Sequence, residues 1–214
     1  MLVNYMMIDP PKPILPDLLD GVEVTHDHLL AKQVRITQPK TGYRAGSDAV
    51  LAAASVTSGP GRVLDLGAGV GGISLCVAKR LGEVQITAVE IDPVTAALAQ
   101  HNVAVNGMGH QVRVVNANIT AMPAVMANSF DHVISNPPYH YKAGTRPRHA
   151  ARARAHVGAN TDLHDWVKAA VWSAKPRGRI SFICQADRAA ELIGLFDRAG
   201  AGETLLFPLW SRPM

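Results

Sequence analysis

Residues 63–72, Val-Leu-Asp-Leu-Gly-Ala-Gly-Val-Gly-Gly, constrain the fold more than any other stretch of the chain. A short apolar strand, Val63–Leu66, runs into a turn of glycines, and Ile73–Leu81 then reads as helix. Glycines let the backbone turn sharply and approach a ligand closely. The helix that follows aims its N-terminus at the same place.

The pattern then repeats. Gln85–Val89 is a second strand, and Pro93 opens a helix at a position where its missing N–H costs nothing. Val94, Ala97, Leu98, His101 and Val105 recur at helical spacing. Val112–Val115 and Asp131–Ser135 read as strands three and four. Leu163, Trp166, Val167, Ala170, Val171 and Ala174 form a helical stripe broken by Pro176-Arg177-Gly178. Arg179–Cys184 follows as a fifth strand, Ala189–Phe196 as a last helix and Thr204–Phe207 as a sixth strand. Strands alternating with helices predict an α/β fold, a doubly wound and mostly parallel sheet with helices on both faces. Ligands of such sheets bind beyond the carboxyl ends of the strands, near the switch in strand order.

Ahead of this alternation, residues 1–20 form a tail with prolines at 10, 11, 13 and 16, pinned at most by Met6, Met7 and Ile8. Residues 21–214 read as one domain: a hairpin and helix over 21–58 and a catalytic core over 59–214. The hairpin pairs Gly21–Val24 with Gln33–Gln38, with His26-Asp27-His28 between them. Ser47 is placed to cap a helix running to Val56, stopped by Gly59-Pro60-Gly61.

Composition narrows the class. Hydrophobic residues at 48% and charged residues at 18% exclude a disordered or fibrous chain. Aromatics are 5%, so the core must be built from Ala, Val, Leu and Ile. A net charge of +4 permits a polyanionic partner without demanding one. Two cysteines, Cys76 and Cys184, make no disulfide framework and read as buried thiols in a cytoplasmic protein. No apolar run approaches the ~20 residues that cross a bilayer, and the N-terminus has no signal-peptide pattern. The nine histidines show no metal-ligand spacing, and His26, His28, His149 and His156 read as surface residues. Trp166 and Trp172 read as core residues of their helix.

Glu90, with Ile91 beside it, closes the second strand, where a carboxylate can accept two hydrogen bonds from the ribose of an adenosine. Gly67, Gly69 and Gly72 by themselves also fit a dinucleotide. Asp65 tips the balance, since a carboxylate facing the ligand would repel a pyrophosphate and suits a cation. Asp65-Leu66-Gly67-Ala68-Gly69-Val70-Gly71 resembles the turn of class I S-adenosylmethionine-dependent methyltransferases. That resemblance implies a Rossmann-like fold and assigns Asp65, Gly67, Ala68, Gly69, Gly71, Glu90 and Ile91 to the cofactor. It also implies that Asn118, where many such enzymes carry Asp, accepts from the adenine amine, with Asn116 a nearby substitute.

The fourth strand ends Asn136-Pro137-Pro138-Tyr139. Two prolines fix the backbone and leave carbonyls free of local pairing. A planar amine needs two acceptors, one per hydrogen, and the Asn136 side chain and the Pro137 carbonyl can supply them. Held that way, the nitrogen can direct its lone pair at an incoming methyl without a strong base. Tyr139 offers a face on which a flat substrate stacks. The tetrad resembles amino-group methyltransferases acting on adenine N6, on guanine N2 or on protein glutamine.

Gln38–Leu51, including Thr41-Gly42-Tyr43-Arg44-Ala45-Gly46-Ser47-Asp48, resembles the segment ahead of the glycine turn in the bacterial tRNA adenine-N6 methyltransferases acting on a valine tRNA. In that family it covers the methionine end of the cofactor, which implies contacts from Arg44 and Asp48. Release-factor enzymes carry a helical substrate domain in front, and here only about 35 residues stand there, which argues against glutamine. Arg146, Arg148, Arg152 and Arg154 follow the tetrad, with no carboxylate between Lys142 and Asn160. Such a stretch can neutralise several phosphates. The expectation is transfer of a methyl group to an adenine amine in RNA, most naturally tRNA. The alternatives are rRNA, DNA or glutamine as substrate, or a cofactor- and RNA-binding protein without catalysis. The family resemblance also implies a seventh, antiparallel strand. The sequence stops at Met214 before one, so a naturally short protein and a truncated form both stay open.

Overall fold

The computed structural model describes residues 18–19, 22–57, 61–138 and 162–209. Its main sheet has five parallel strands in the order β6-β5-β4-β7-β8. These are β4 (Gly61–Leu66), β5 (Val84–Glu90), β6 (Val112–Asn116), β7 (Phe130–Ser135) and β8 (Ala174–Phe182). Helices α2 (Gly72–Leu81), α3 (Pro93–Val105) and α4 (Leu163–Ser173) lie in the connections, and α5 (Ala189–Arg198) follows β8. The strand order reverses between β4 and β7, so the ligand crevice of such a sheet falls at their carboxyl ends. Ser135 Oγ, at the end of β7, donates to the Leu66 carbonyl at 2.8 Å and pins the two strand ends together there.

The central strands are buried almost end to end, as parallel strands covered on both faces must be. Leu64, Leu66, Ala88, Val89 and Val133 are fully buried. One polar residue of that interior is His132, whose Nε2 lies 2.8 Å from Ser181 Oγ on β8. Burial, helped by the nearby Arg179 charge, brings the imidazole down to about 4, so it stays neutral.

The N-terminal hairpin forms as expected but turns elsewhere. β2 (Val22–Leu29) pairs antiparallel with β3 (Val34–Pro39), and His26-Asp27-His28 lies within the ladder, with His26 opposite Thr37. The turn is made by Leu30, Ala31 and Lys32, all at positive φ, in a sequence without Gly, Asn or Asp to announce it. A two-residue strand, β1 (Leu18–Leu19), adds to β2. Helix α1 spans Ser47–Ala54 rather than running to Val56, and Gly46, not Ser47, is its N-cap.

Helix α3 docks this hairpin by an unusual route. Asn102 and Asn106 stand one turn apart, about 6 Å along the axis, close to the ~6.6 Å between alternate residues of a strand. Thr37 N–H donates to Asn102 Oδ1 at 2.7 Å, and Asn102 Nδ2 donates to the Thr37 carbonyl at 2.8 Å. Asn106 repeats the exchange with Arg35 at 2.9 and 2.7 Å. Two side-chain amides thus stand in for a neighbouring strand along β3. Asn102 Nδ2 also donates to the Val70 carbonyl at 2.9 Å, which ties the hairpin to the glycine turn.

The C-terminal expectations need correction. The helix break does occur after Ser173, but β8 starts at once, and Pro176-Arg177-Gly178 forms a bulge inside it rather than a loop before it. Gly178 is required there, since a Cβ would lie 2.8 Å from the Lys175 carbonyl oxygen. Thr204–Phe207 is not a strand. The segment runs irregularly with Leu205 88% and Phe207 78% exposed. A strand needs a neighbour for its backbone groups, and among the described residues β8 pairs with β7 alone. Cys76 is buried, its thiol pushed up to about 11 by burial, whereas Cys184 is only partly covered. Trp166 is core as expected, but Trp172 is exposed. His26 and His28 are at the surface. Among the described residues no helix is long and apolar enough to cross a membrane.

Candidate active site

Gly67, Gly69 and Gly71 all adopt positive φ, at 68°, 57° and 87°, so the turn bends in a way that other residues resist. Gly71 is the N-cap of α2. Gly72 has no room for a side chain either, since a Cβ would lie 2.8 Å from that of Ala45. The Ala68 N–H donates to the Val89 carbonyl at 2.9 Å, holding the turn against the end of β5.

Asp65, second to last in β4, is fully buried. Its Oδ2 accepts from the Ser74 backbone N–H at 3.1 Å and from the Ser74 hydroxyl at 2.7 Å. Its Oδ1 has no partner among the described residues. Burial pushes the carboxyl up to about 6, against the pull of the Ser74 bonds and with a smaller push from Glu90. A buried acceptor left open beside a glycine turn fits a cationic ligand group, which would satisfy the oxygen and bring the carboxyl back down.

Glu90 ends β5 with Oε2 accepting from Gly69 N–H at 3.0 Å and Oε1 from Asp92 N–H at 2.9 Å. Burial raises this carboxyl above its ordinary value. Each oxygen retains a lone pair, so a vicinal diol can still be gripped. Asn116 braces the same strand end, donating to the Glu90 and Ile91 carbonyls at 2.8 and 2.9 Å. Asn118 Oδ1 accepts from Thr120 N–H at 3.0 Å and so caps the short helical turn Ile119–Ala121.

Asn136 follows β7 directly and is half-buried; Pro137 is buried. Asn136 Nδ2 donates to Asp48 Oδ2 and to the Tyr43 oxygen, both at 2.7 Å. The Tyr43 hydroxyl donates in turn to Asp48 Oδ2 at 2.8 Å. Tyr43 as a whole is 61% exposed, but its hydroxyl end is lodged in this cluster. Burial of that end, together with Asp48, raises it well above the ordinary phenol range. Arg44 turns away into the hairpin, 2.7 Å from Asp27 Oδ2, and also donates to Thr25 Oγ1 and the Pro39 carbonyl. Buried Gln38 completes this brace, accepting from Ala45 N–H at 2.9 Å.

The fold therefore brings Asp65, the glycine turn, Glu90 and Asn136 to the carboxyl ends of adjacent strands, with Asp48 beside Asn136. Tyr139, Arg146, Arg148, Arg152 and Arg154 lie outside the described residues. Ser74 and Tyr43 carry no local sign of the parts they play here. For Asn102 and Asn106 the one such sign is a pair of asparagines at i, i+4 on the last turn and C-cap of α3. Among the described residues the metal-type cluster is Asp162, His164 and Asp165 at the start of α4. Asp162 and Asp165 there form a reciprocal cap, which accounts for the grouping.

Comparison with known proteins identifies the family and the fold. The family model "Methyltransferase small domain" matches residues 41–185. A tRNA1(Val) (adenine(37)-N6)-methyltransferase of Trichodesmium erythraeum is 32% identical over 177 residues, covering 77% of this chain and 72% of its own. The protein of that name from Haemophilus influenzae is 30% identical over 164 residues, covering 76% and 70%. Among solved structures, P. horikoshii TYW2 in complex with MeSAdo superposes with a TM-score of 0.59 at 19% identity, covering 82% of this chain and 58% of that one. Precorrin-6y C5,15-methyltransferase from Geobacter metallireducens gives 0.55 at 14% identity, covering 76% and 74%. Both likenesses concern the fold. By its matched span and by the order of its strands, the chain belongs to the methyltransferase small domain family.

Proposed function

We propose that this enzyme transfers a methyl group from S-adenosylmethionine to the N6 amine of an adenine in tRNA. The observation that carries the reading is the disposition of Asn136, whose amide nitrogen is occupied by Asp48 and Tyr43 and whose oxygen has no hydrogen-bond partner among the described residues. The relatives named for adenine-N6 methylation of a valine tRNA support the choice of substrate.

The cofactor supplies an electrophilic methyl on a positively charged sulfur. Asp65 Oδ1 would attract its positive end, the glycine turn would let the backbone approach it, and Glu90 would receive the ribose hydroxyls. Asn118, its oxygen partly engaged by Thr120, serves the adenine edge together with Asn116. Asn136 Oδ1 and the Pro137 carbonyl take one amine hydrogen each. The nitrogen's lone pair would thereby be turned toward the methyl, which the bound cofactor would give up to it with the sulfur keeping the electron pair of the broken S–C bond. Once methylated, the nitrogen would be cationic and would release one proton to solvent water, since an amide oxygen and a backbone carbonyl accept hydrogen bonds without taking the proton. Tyr139 stacks on the flipped base, and Arg146, Arg148, Arg152 and Arg154 neutralise tRNA phosphates. Such a substrate places the enzyme in the cytoplasm.

The test is incubation with tritiated S-adenosylmethionine and total RNA from a strain lacking the gene, followed by nucleoside analysis. Label in N6-methyladenosine of a tRNA fraction is the expected result. Label in protein, or in no RNA, would overturn the proposal.

A further inference from the structure

Asn136 can act on an amine only if its oxygen, and not its NH₂, faces the substrate. The two ends of a side-chain amide have the same shape, so packing alone does not decide between them. The neighbours decide. Asp48 Oδ2 and the Tyr43 oxygen each lie 2.7 Å from Asn136 Nδ2, and a carboxylate can accept a hydrogen bond but not donate one. Turning the amide over would set its oxygen against that carboxylate.

Asp48 is itself held in place. Its Oδ1 accepts from the Gly46 N–H at 3.0 Å, and its Oδ2 receives the Tyr43 hydroxyl as well as the amide. Both carboxylate oxygens are thus engaged by the protein. Tyr43 has committed its one hydrogen to Asp48, so it too meets Asn136 as an acceptor. Two acceptors therefore face the amide, and both of its hydrogens are used.

We infer that Asp48, seconded by Tyr43, is a positioning residue that fixes the polarity of the Asn136 amide and so keeps its oxygen on the substrate side. This inference rests on the proposed transfer to an amine, and it assigns Asp48 to Asn136 rather than to the cofactor. It links the segment ahead of the glycine turn to the tetrad, residues 88 positions apart in the chain.

Asp48→Asn separates polarity from shape. The variant is isosteric. Gly46 N–H draws the new side-chain oxygen toward itself, which turns the new NH₂ toward Asn136 and invites that amide to present its oxygen inward. The experiment uses the full chain with tritiated S-adenosylmethionine and unmodified tRNA, and calorimetry for cofactor affinity. Asp48→Asn should lower kcat roughly 10–100-fold, with cofactor Kd within about twofold and the melting temperature retained. Tyr43→Phe, which leaves Asp48 as one acceptor, should lower kcat by less. A near wild-type rate in Asp48→Asn overturns the inference. So does a loss of cofactor affinity in step with the rate, which would return Asp48 to the cofactor. If the wild-type protein labels no RNA, the proposed function falls and takes this inference with it; an active wild type with an unaffected Asp48→Asn variant sinks the inference alone.

Discussion

The indole of Trp166 closes the space in front of Gly67: a methyl group built on that glycine would lie 2.3 Å from Cη2 of the ring. The contact joins the first turn residue after β4 to helix α4, about a hundred residues later in the chain. Gly67 also sits at φ 68°. Gly67→Ala therefore meets two penalties, a left-handed backbone and a ring that must move. It should destabilise the protein by about 2–4 kcal/mol in chemical denaturation. Adding Trp166→Leu should cost less in the Gly67→Ala background than in the wild type, because the clash is then relieved. Strict additivity of the two changes would contradict the contact.

Asn136→Ala should leave cofactor affinity nearly intact while methyl transfer falls by about 10²–10³-fold, the scale of losing one oriented polar group at a reacting centre. Calorimetry with the cofactor and single-turnover transfer to tRNA give the two numbers. Equal loss in both would show that Asn136 serves binding instead.

Cofactor affinity should depend on pH through Asp65. Burial has raised this carboxyl to about 6, and only its ionised form attracts a cation. Binding then favours the deprotonated state, so affinity is level above about pH 6 and weakens as pH falls below it, by at most about tenfold per unit for one proton. Asp65→Asn should bind more weakly and show a shallower dependence across that window. A wild-type affinity constant from pH 5 to 8 would refute the role.

His132 gives stability a second pH dependence. Its folded value, about 4, lies below the ordinary 6.5, so the unfolded chain takes up a proton between these values and the folded chain does not. Stability contributed by the neutral imidazole is complete above pH 6.5 and is lost as pH falls toward 4, by about 3 kcal/mol in total. Denaturant titrations of the wild type and His132→Gln, compared at about pH 7 and about pH 4.5, should show the wild type losing more. An equal loss in both proteins would mean that His132 protonates freely in the fold.

If the arginines after the tetrad meet phosphate, replacing Arg146, Arg148, Arg152 and Arg154 with alanine should weaken tRNA binding. It should also flatten its salt dependence, by about 0.7–0.9 in the log–log slope for each phosphate no longer neutralised. Binding weakened with an unchanged slope would assign them to something other than phosphate.

The elements around the site are legible in the sequence because their causes are local. Val63–Leu66, the glycines and Glu90 declare a strand, a turn and a strand end by their own backbone preferences and burial. Pro137 and Pro138 do the same for the tetrad. The hairpin turn falls elsewhere than its sequence suggests because Leu30, Ala31 and Lys32 hold positive φ without the residues that usually mark it. The strand expected at Thr204–Phe207 fails because β propensity supplies no partner for the ladder.

By itself, then, the sequence determined the alternation of strands and helices from β4 to the helix after β8 and the sharp turn after β4, since each depends on neighbours along the chain. Tertiary structure decided how those parts act together. Asn102 joins β3 to the glycine turn, Trp166 bars a side chain at residue 67, and Asp48 sets the sense of the Asn136 amide. Each of these is a hydrogen bond or close approach between residues about 30 to 100 positions apart. No residue's own propensity encodes such a pairing; it exists only after the sheet has carried both partners to the same edge.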